Sequence, residues 1–98
     1  MQINKALTNL IRGRSIHFVA EEKNRGTIVF NDGSTMQVKA VGQLVMKKLG
    51  DGQIDSVGED GVRLAINGEE NHKPILDVYA HGASITVTNR HGAVEYTG

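Results

Sequence analysis

Cysteine is absent from this sequence, which removes any disulfide framework and any thiolate metal site. Tryptophan is absent too, and Phe18, Phe30, Tyr79 and Tyr96 are the whole aromatic complement. A hydrophobic core therefore has to be built from Ile, Val and Leu. There is a single proline. No apolar run is longer than a few residues, Leu44-Val45-Met46 being typical, so no segment reads as a membrane span. Excess charge is also missing: eleven basic residues balance eleven acidic ones. That balance argues against coating nucleic acid by bulk electrostatics, and it leaves little repulsion between copies of the chain. The start, Met-Gln-Ile-Asn-Lys, lacks the basic-then-apolar order of a signal peptide. With the missing cysteines, this points to a cytoplasmic protein with no membrane segment.

What is abundant is glycine, twelve in 98 residues, recurring between short apolar stretches. The length favours one domain over residues 1–98. The spacing of turn residues, close to ~8–12 positions, is that of a sandwich or barrel. The first segment reads as a short helix: Asn4 caps it, Ala6, Leu7, Leu10 and Ile11 share a face, and Gly13 stops it. Alternating strands follow. Ile16, Phe18 and Ala20 share one side of the first, with His17 and Val19 opposite. Ile28 and Phe30, then Met36 and Val38, continue the inward set. Asn31-Asp32-Gly33-Ser34 between them is a hairpin signal with the chemistry of a primed turn. Residues 41–49 fit either a helical stripe or a bulged strand, and their surroundings favour the strand. Ile54, Leu64, Ile66, Leu76, Val78, Ile85, Val87 and Val94 complete the expected core. The expected fold is mainly β: a short N-terminal helix and about seven or eight antiparallel strands in a small barrel or two-layer sandwich, the helix packed on or plugging one end.

Motifs of chemistry are sparse. Asp51, Gln53, Asp55 and Glu59 have calcium-loop spacing, but Ser56 stands where glycine is needed and Val62 where a bidentate Glu is needed. His17, His72, His81 and His91 contain no helical metal pair. In a meander, His72 and His91 fall at one sheet end, with Glu69 or Glu70 as a third candidate ligand, and His81 falls at the other. No Gly-x-Ser-x-Gly elbow is present, and Gly50-Asp51-Gly52 lacks the third glycine and helix of a phosphate cradle. No catalytic residue, metal or cofactor is expected, and the chain does not read as an enzyme.

Two sets of residues remain as candidate contacts. Arg12, Arg14, Lys23 and Arg25 cluster in sequence and form a candidate nucleic-acid or partner contact. Val19, Val29, Ile75 and Tyr79 oppose the core sets of their strands and form a candidate interface. The leading expectation is a non-catalytic β-domain that binds another protein or associates with itself as a homodimer. A nucleic-acid-binding β-barrel is the second reading, and a small ligand- or metal-binding barrel the third. The closing run, Ile85 to Tyr96 with Asn-Arg-His-Gly between two short strands, has the cast of small bacterial or phage β proteins, and no function transfers from it.

Overall fold

A computed structural model describes residues 1–98. The glycine punctuation divides the chain into one helix and ten strands: β1 (Gln2–Ile3), α1 (Lys5–Ile11), β2 (Ile16–Glu21), β3 (Arg25–Phe30), β4 (Thr35–Lys39), β5 (Leu44–Lys48), β6 (Ile54–Glu59), β7 (Arg63–Gly68), β8 (Pro74–Ala80), β9 (Ser84–Thr88) and β10 (Val94–Thr97). They form two five-stranded antiparallel sheets, ordered β1-β6-β7-β8-β5 and β10-β9-β4-β3-β2.

The sheets do not close into a barrel, so the architecture is a sandwich, with more strands than the seven or eight expected. The reason is visible where β5 approaches β2. Leu44 N reaches the Lys23 carbonyl only at 3.4 Å, and Met46 N donates instead to the Glu21 carboxylate at 2.6 Å. A side chain fills the place that a continuing backbone ladder would need. Within residues 41–49 the strand is β5 (Leu44–Lys48), in the opposite sheet from β4, and the chain crosses between the layers at Ala40–Gln43. Leu44 is buried, whereas Val41 and Leu49, which a helical stripe would bury with it, are exposed.

The core lies between the layers. Ile28, Phe30, Met36, Val38, Ile85 and Val87 come from one sheet, and Leu44, Ile54, Val57, Leu64, Ile66, Leu76 and Val78 from the other. Phe30 is the only fully buried aromatic. Period-two alternation predicts most of this set, because each strand has one dry face.

The helix does not plug an end. The segment from residue 2 to 15 runs antiparallel along β6, pairing with it at both ends. Gln2 and Ile3 pair with Glu59 and Gly58, and Asn4 N donates to the Val57 carbonyl. Beyond the helix, Gly13 N donates to the Ile54 carbonyl, Ile54 N returns a bond to Arg14, and Ser15 bridges to Gln53. Between those anchors the backbone is helical and cannot serve the β6 edge. Side chains do so instead. The Thr8 hydroxyl accepts from Val57 N at 2.9 Å and lies 3.4 Å from the Val57 carbonyl, and Arg12 Nε donates to the Asp55 carbonyl at 2.9 Å. Leu7 and Ile11 meanwhile enter the core. Asn4 caps the helix by accepting from Leu7 N, and Gly13 ends it at φ +86°.

Two expected core residues are on the outside, for one shared reason. The ladder between β2 and β3 slips between Ile16 and Phe18, and that between β10 and β9 slips between Val94 and Tyr96. Each slip is a bulge, and a bulge inverts the side-chain parity beyond it. Ile16 and Val19 therefore pack against the core, while Phe18 is 50% exposed. Tyr96 packs inward, while Val94 is 61% exposed. The turn at Asn31–Ser34 also differs from expectation. Only Gly33 has positive φ, with Phe30 N bonded to the Ser34 carbonyl and Gly33 N to the Phe30 carbonyl, so it is a glycine-bulge turn. The turn before β10 repeats it at Gly92. The primed geometry occurs at Asn71-His72, which contains no glycine.

Two substitutions and a control test this architecture. Ile66→Ala, at a fully buried position, should cost about 2–5 kcal/mol in denaturant unfolding. Thr8→Val keeps the shape of the side chain but leaves the Val57 N–H unpaired, and should cost about 1–3 kcal/mol. Asn9→Ala, on the exposed side of the same helix, should leave the unfolding midpoint nearly unchanged.

Candidate interaction surface

The two bulges together create a surface. Across the registers of the second sheet, Phe18 lies opposite Val29, Val29 opposite Thr35, Thr35 opposite Thr88, and Thr88 opposite Val94. This row crosses all five strands on the outer face. The next row is Ala20, Thr27, Gln37, Thr86 and Thr97. Neither row contains a charge. The two rows span roughly 20 Å, from four strand spacings of about 4.8 Å. On one side charge returns at the next row, where Arg25 lies opposite Lys39, and on the other Arg14, Asp32 and Glu95 border the face at the turn end. His17, exposed within the β2 bulge, packs its ring edge-on to Phe18 with centroids 5.3 Å apart.

The outer face of the other sheet differs. Val45 and Tyr79 are exposed there and lie opposite one another, but beside them Arg63 binds Asp77 through Nε at 3.0 Å and Nη2 at 2.7 Å. Those hydrogen bonds push the Arg63 guanidinium pKa further up. Lys47 lies opposite Asp77 in the ladder. This face is charged at its centre.

The four expected interface residues do not form one patch. Val29 is in the uncharged row, and Tyr79 is on the opposite side of the sandwich. Val19 turns inward because of the β2 bulge. Ile75 is only 6% exposed, because the turn after β5 folds over it: Leu49 N and Gly50 N both donate to the Ile75 carbonyl, at 2.8 and 3.2 Å. Regular alternation places Phe18 and Val94 inward, whereas both are surface residues. The one trace of them in the sequence is a phase conflict, since Ile16, Phe18 and Val19 cannot all face one way on a regular strand.

The basic cluster also separates. Arg12 is engaged with the Asp55 carbonyl. The Arg14 side chain is 17% exposed, and its guanidinium lies over the Phe30 ring, 5.7 Å from the centroid. It donates to Ser34 Oγ at 2.9 Å and to Glu95 at 3.3 Å, with Asp32 at 3.6 Å. Lys23 and Arg25 sit at the far end of the β2–β3 hairpin, roughly 20 Å away by the length of a six-residue strand. Four residues near in sequence are thus split between the two ends of the sandwich, and Arg14 is committed to internal contacts. His72 Nδ1 lies 3.0 Å from Asp55 Oδ2 in the turn between β7 and β8, while His91 is in the β9–β10 turn of the other sheet, beside Arg90. No three His, Asp or Glu side chains come together as a metal would require.

Asp32, beside Arg14, has its pKa lowered. The Ser34 hydroxyl and the Ser34 backbone N–H both donate to it, and the Arg14 charge adds to the effect. The sign follows from linkage: a depressed carboxylate stabilises the fold above its unfolded pKa, and that contribution fades as pH falls from about 4 downward. Ser34→Ala should therefore raise the Asp32 pKa in a carboxylate NMR titration and flatten acid unfolding below about pH 4. No helix is long and apolar enough to cross a membrane. No known family model matches the chain, and no curated protein or solved structure is significantly similar to it.

Proposed function

We propose that this domain is a non-catalytic interaction module that docks a second polypeptide, another protein or a second copy of itself, through the outer face of the β10-β9-β4-β3-β2 sheet. The observation that carries this reading is the pair of uncharged rows: Phe18, Val29, Thr35, Thr88 and Val94 beside Ala20, Thr27, Gln37, Thr86 and Thr97. In a chain that is 22% charged, a contiguous face without charge, with Phe18 and Val94 at the two ends of its first row, is inexpensive to desolvate. The threonine hydroxyls supply adaptable hydrogen bonds, and the half-exposed Phe18 supplies an anchor of the kind that dominates interface energies.

The strand edges support the same reading by being closed to pairing. The β6 edge is covered by the N-terminal segment. The β2 and β10 edges are bulged, and β5 carries Lys47 and Lys48 while its Met46 N–H is occupied by Glu21. Association through a face is what such a sandwich leaves open.

Sedimentation velocity over a rising concentration series tests self-association, and capture from the native cell extract tests a heterologous partner. Phe18→Glu and Val94→Glu should abolish whichever association the parent shows. Tyr79→Glu, on the opposite sheet, should leave it intact. A parent that stays monomeric at high concentration and captures nothing that Phe18→Glu loses would overturn the reading.

A further inference from the structure

The docking face carries charge at both of its ends, and the two ends differ. At the β2–β3 turn end, Arg25 lies opposite Lys39 and Lys39 opposite Ser84. Glu22 sits beside Arg25, its N–H donating to the Arg25 carbonyl at 2.8 Å. By alternation Glu22 shares the outer side of its strand with Phe18 and Ala20. Glu22, Arg25 and Lys39 take part in no ion pair. At the other end Arg14 stands between the Asp32 and Glu95 carboxylates. The Asp32 side chain is 54% exposed and that of Arg14 only 17%, so the carboxylate is the more accessible charge beside the β3–β4 turn. His17 belongs to this end of β2, its ring set edge-on to Phe18.

These positions are self-complementary about one two-fold axis, lying in the plane of the face and running across the strands between the two uncharged rows. Such an axis sets each strand over its own copy in the reverse direction, an aligned packing of two sheets. The first row then covers the second: Phe18 over Ala20, Val29 over Thr27, Thr35 over Gln37, Thr88 over Thr86 and Val94 over Thr97. The largest side chain of one row meets the smallest of the other, at Phe18 and Ala20. Arg25 and Lys39, on the two strands that the β3–β4 turn joins, flank Asp32 of the second copy. Glu22 meets His17. Arg90, exposed in the β9–β10 turn, meets the uncharged Ser84. An axis along the strands would instead stack Lys39 on Lys39, a repulsive pairing of like charges.

Resting on the docking face proposed above, we infer that its occupant is a second copy of this chain, in an isologous dimer whose axis crosses the strands between the Phe18 and Ala20 rows. Eleven basic and eleven acidic residues leave no net repulsion between copies. The face measures roughly 20 Å across five strands and roughly 20 Å along the four rows from His17 to Lys39. That is about 400 Å² per copy in projection, half of the ~800 Å² per partner in a standard stable interface. The dimer is therefore weak and builds up only at high protein concentration.

An equal mixture of isotope-labelled and unlabelled chain, read by isotope-filtered NOE spectroscopy at high concentration, should show contacts between the Phe18 ring of one copy and the Ala20 methyl of the other. Arg25→Glu combined with Lys39→Glu should weaken self-association at least tenfold in sedimentation, and so should Asp32→Lys. Mixing those two variants should restore association, because each then presents the charge that the other lacks. Asp32 also holds its own turn through Ser34. If Asp32→Lys does not fold, the exposed pair His17→Glu and Glu22→Lys gives the same readout: each alone weakens association, and the mixture recovers it. Failure of folded variants to recover on mixing, or Phe18 contacts to Val94 of the other copy in place of Ala20, overturns the inferred arrangement. A parent that stays monomeric at high concentration but captures a foreign protein that Phe18→Glu loses overturns the second copy as occupant and leaves the docking face standing. A parent that does neither ends both.

Discussion

The pairing of the N-terminal segment along β6 is the constraint on which the rest of the sandwich depends. Two antiparallel sheets can share an aliphatic core only if their open sides are closed. An open edge presents backbone N–H and C=O groups that must find partners. Here one continuous stretch does both. It bonds to β6 at Gln2–Asn4 and again at Gly13–Ser15, and it places Leu7 and Ile11 into the core between those anchors. The Thr8 hydroxyl takes over for the backbone where the helix interrupts the ladder. From Ser15 the chain passes directly into β2 of the other sheet, so the same segment ties both layers together. Asn31 N, donating to the Ser15 carbonyl, reinforces that transfer.

With that side closed, the remaining edges are managed by local devices that also decide what the surface looks like. Bulges in β2 and β10 bend the outer strands of the second sheet and rotate Phe18 and Val94 outward. The cost is that two apolar side chains leave the core. The consequence is a row that is apolar at both edges and hydroxyl-rich in the middle. Arg14 fits the same pattern of internal commitment. Its guanidinium spans Ser34, Glu95 and Asp32 above Phe30, and so ties the β3–β4 turn to β10. Arg14, a candidate contact in the sequence, is part of what holds the second sheet's end in place.

Much of the fold was legible because period-two alternation survives wherever a strand is regular. Ile28, Phe30, Met36 and Val38 on one sheet, and Leu64, Ile66, Leu76 and Val78 on the other, are buried as their spacing implies. The interface was less legible. Val19 and Ile75 have the right parity for an outer face on regular strands, yet one is turned inward by a bulge and the other is roofed by the turn after β5. The basic cluster separates for a different reason: proximity in sequence ends at a strand, whose length places Lys23 far from Arg14.

By itself, the sequence determined the class of the protein: an antiparallel β domain with an aliphatic core, a capped N-terminal helix ended at Gly13, and none of the sequence motifs of a catalytic or metal centre. These follow from composition, periodicity and capping chemistry, which act over a few residues. Only the tertiary structure decided that the sheets form a sandwich rather than a barrel, and that Phe18 and Val94 face solvent in one row. Each of those depends on register between strands distant in the chain. A one-residue slip reverses every side chain beyond it, and no local pattern records where the slip occurs.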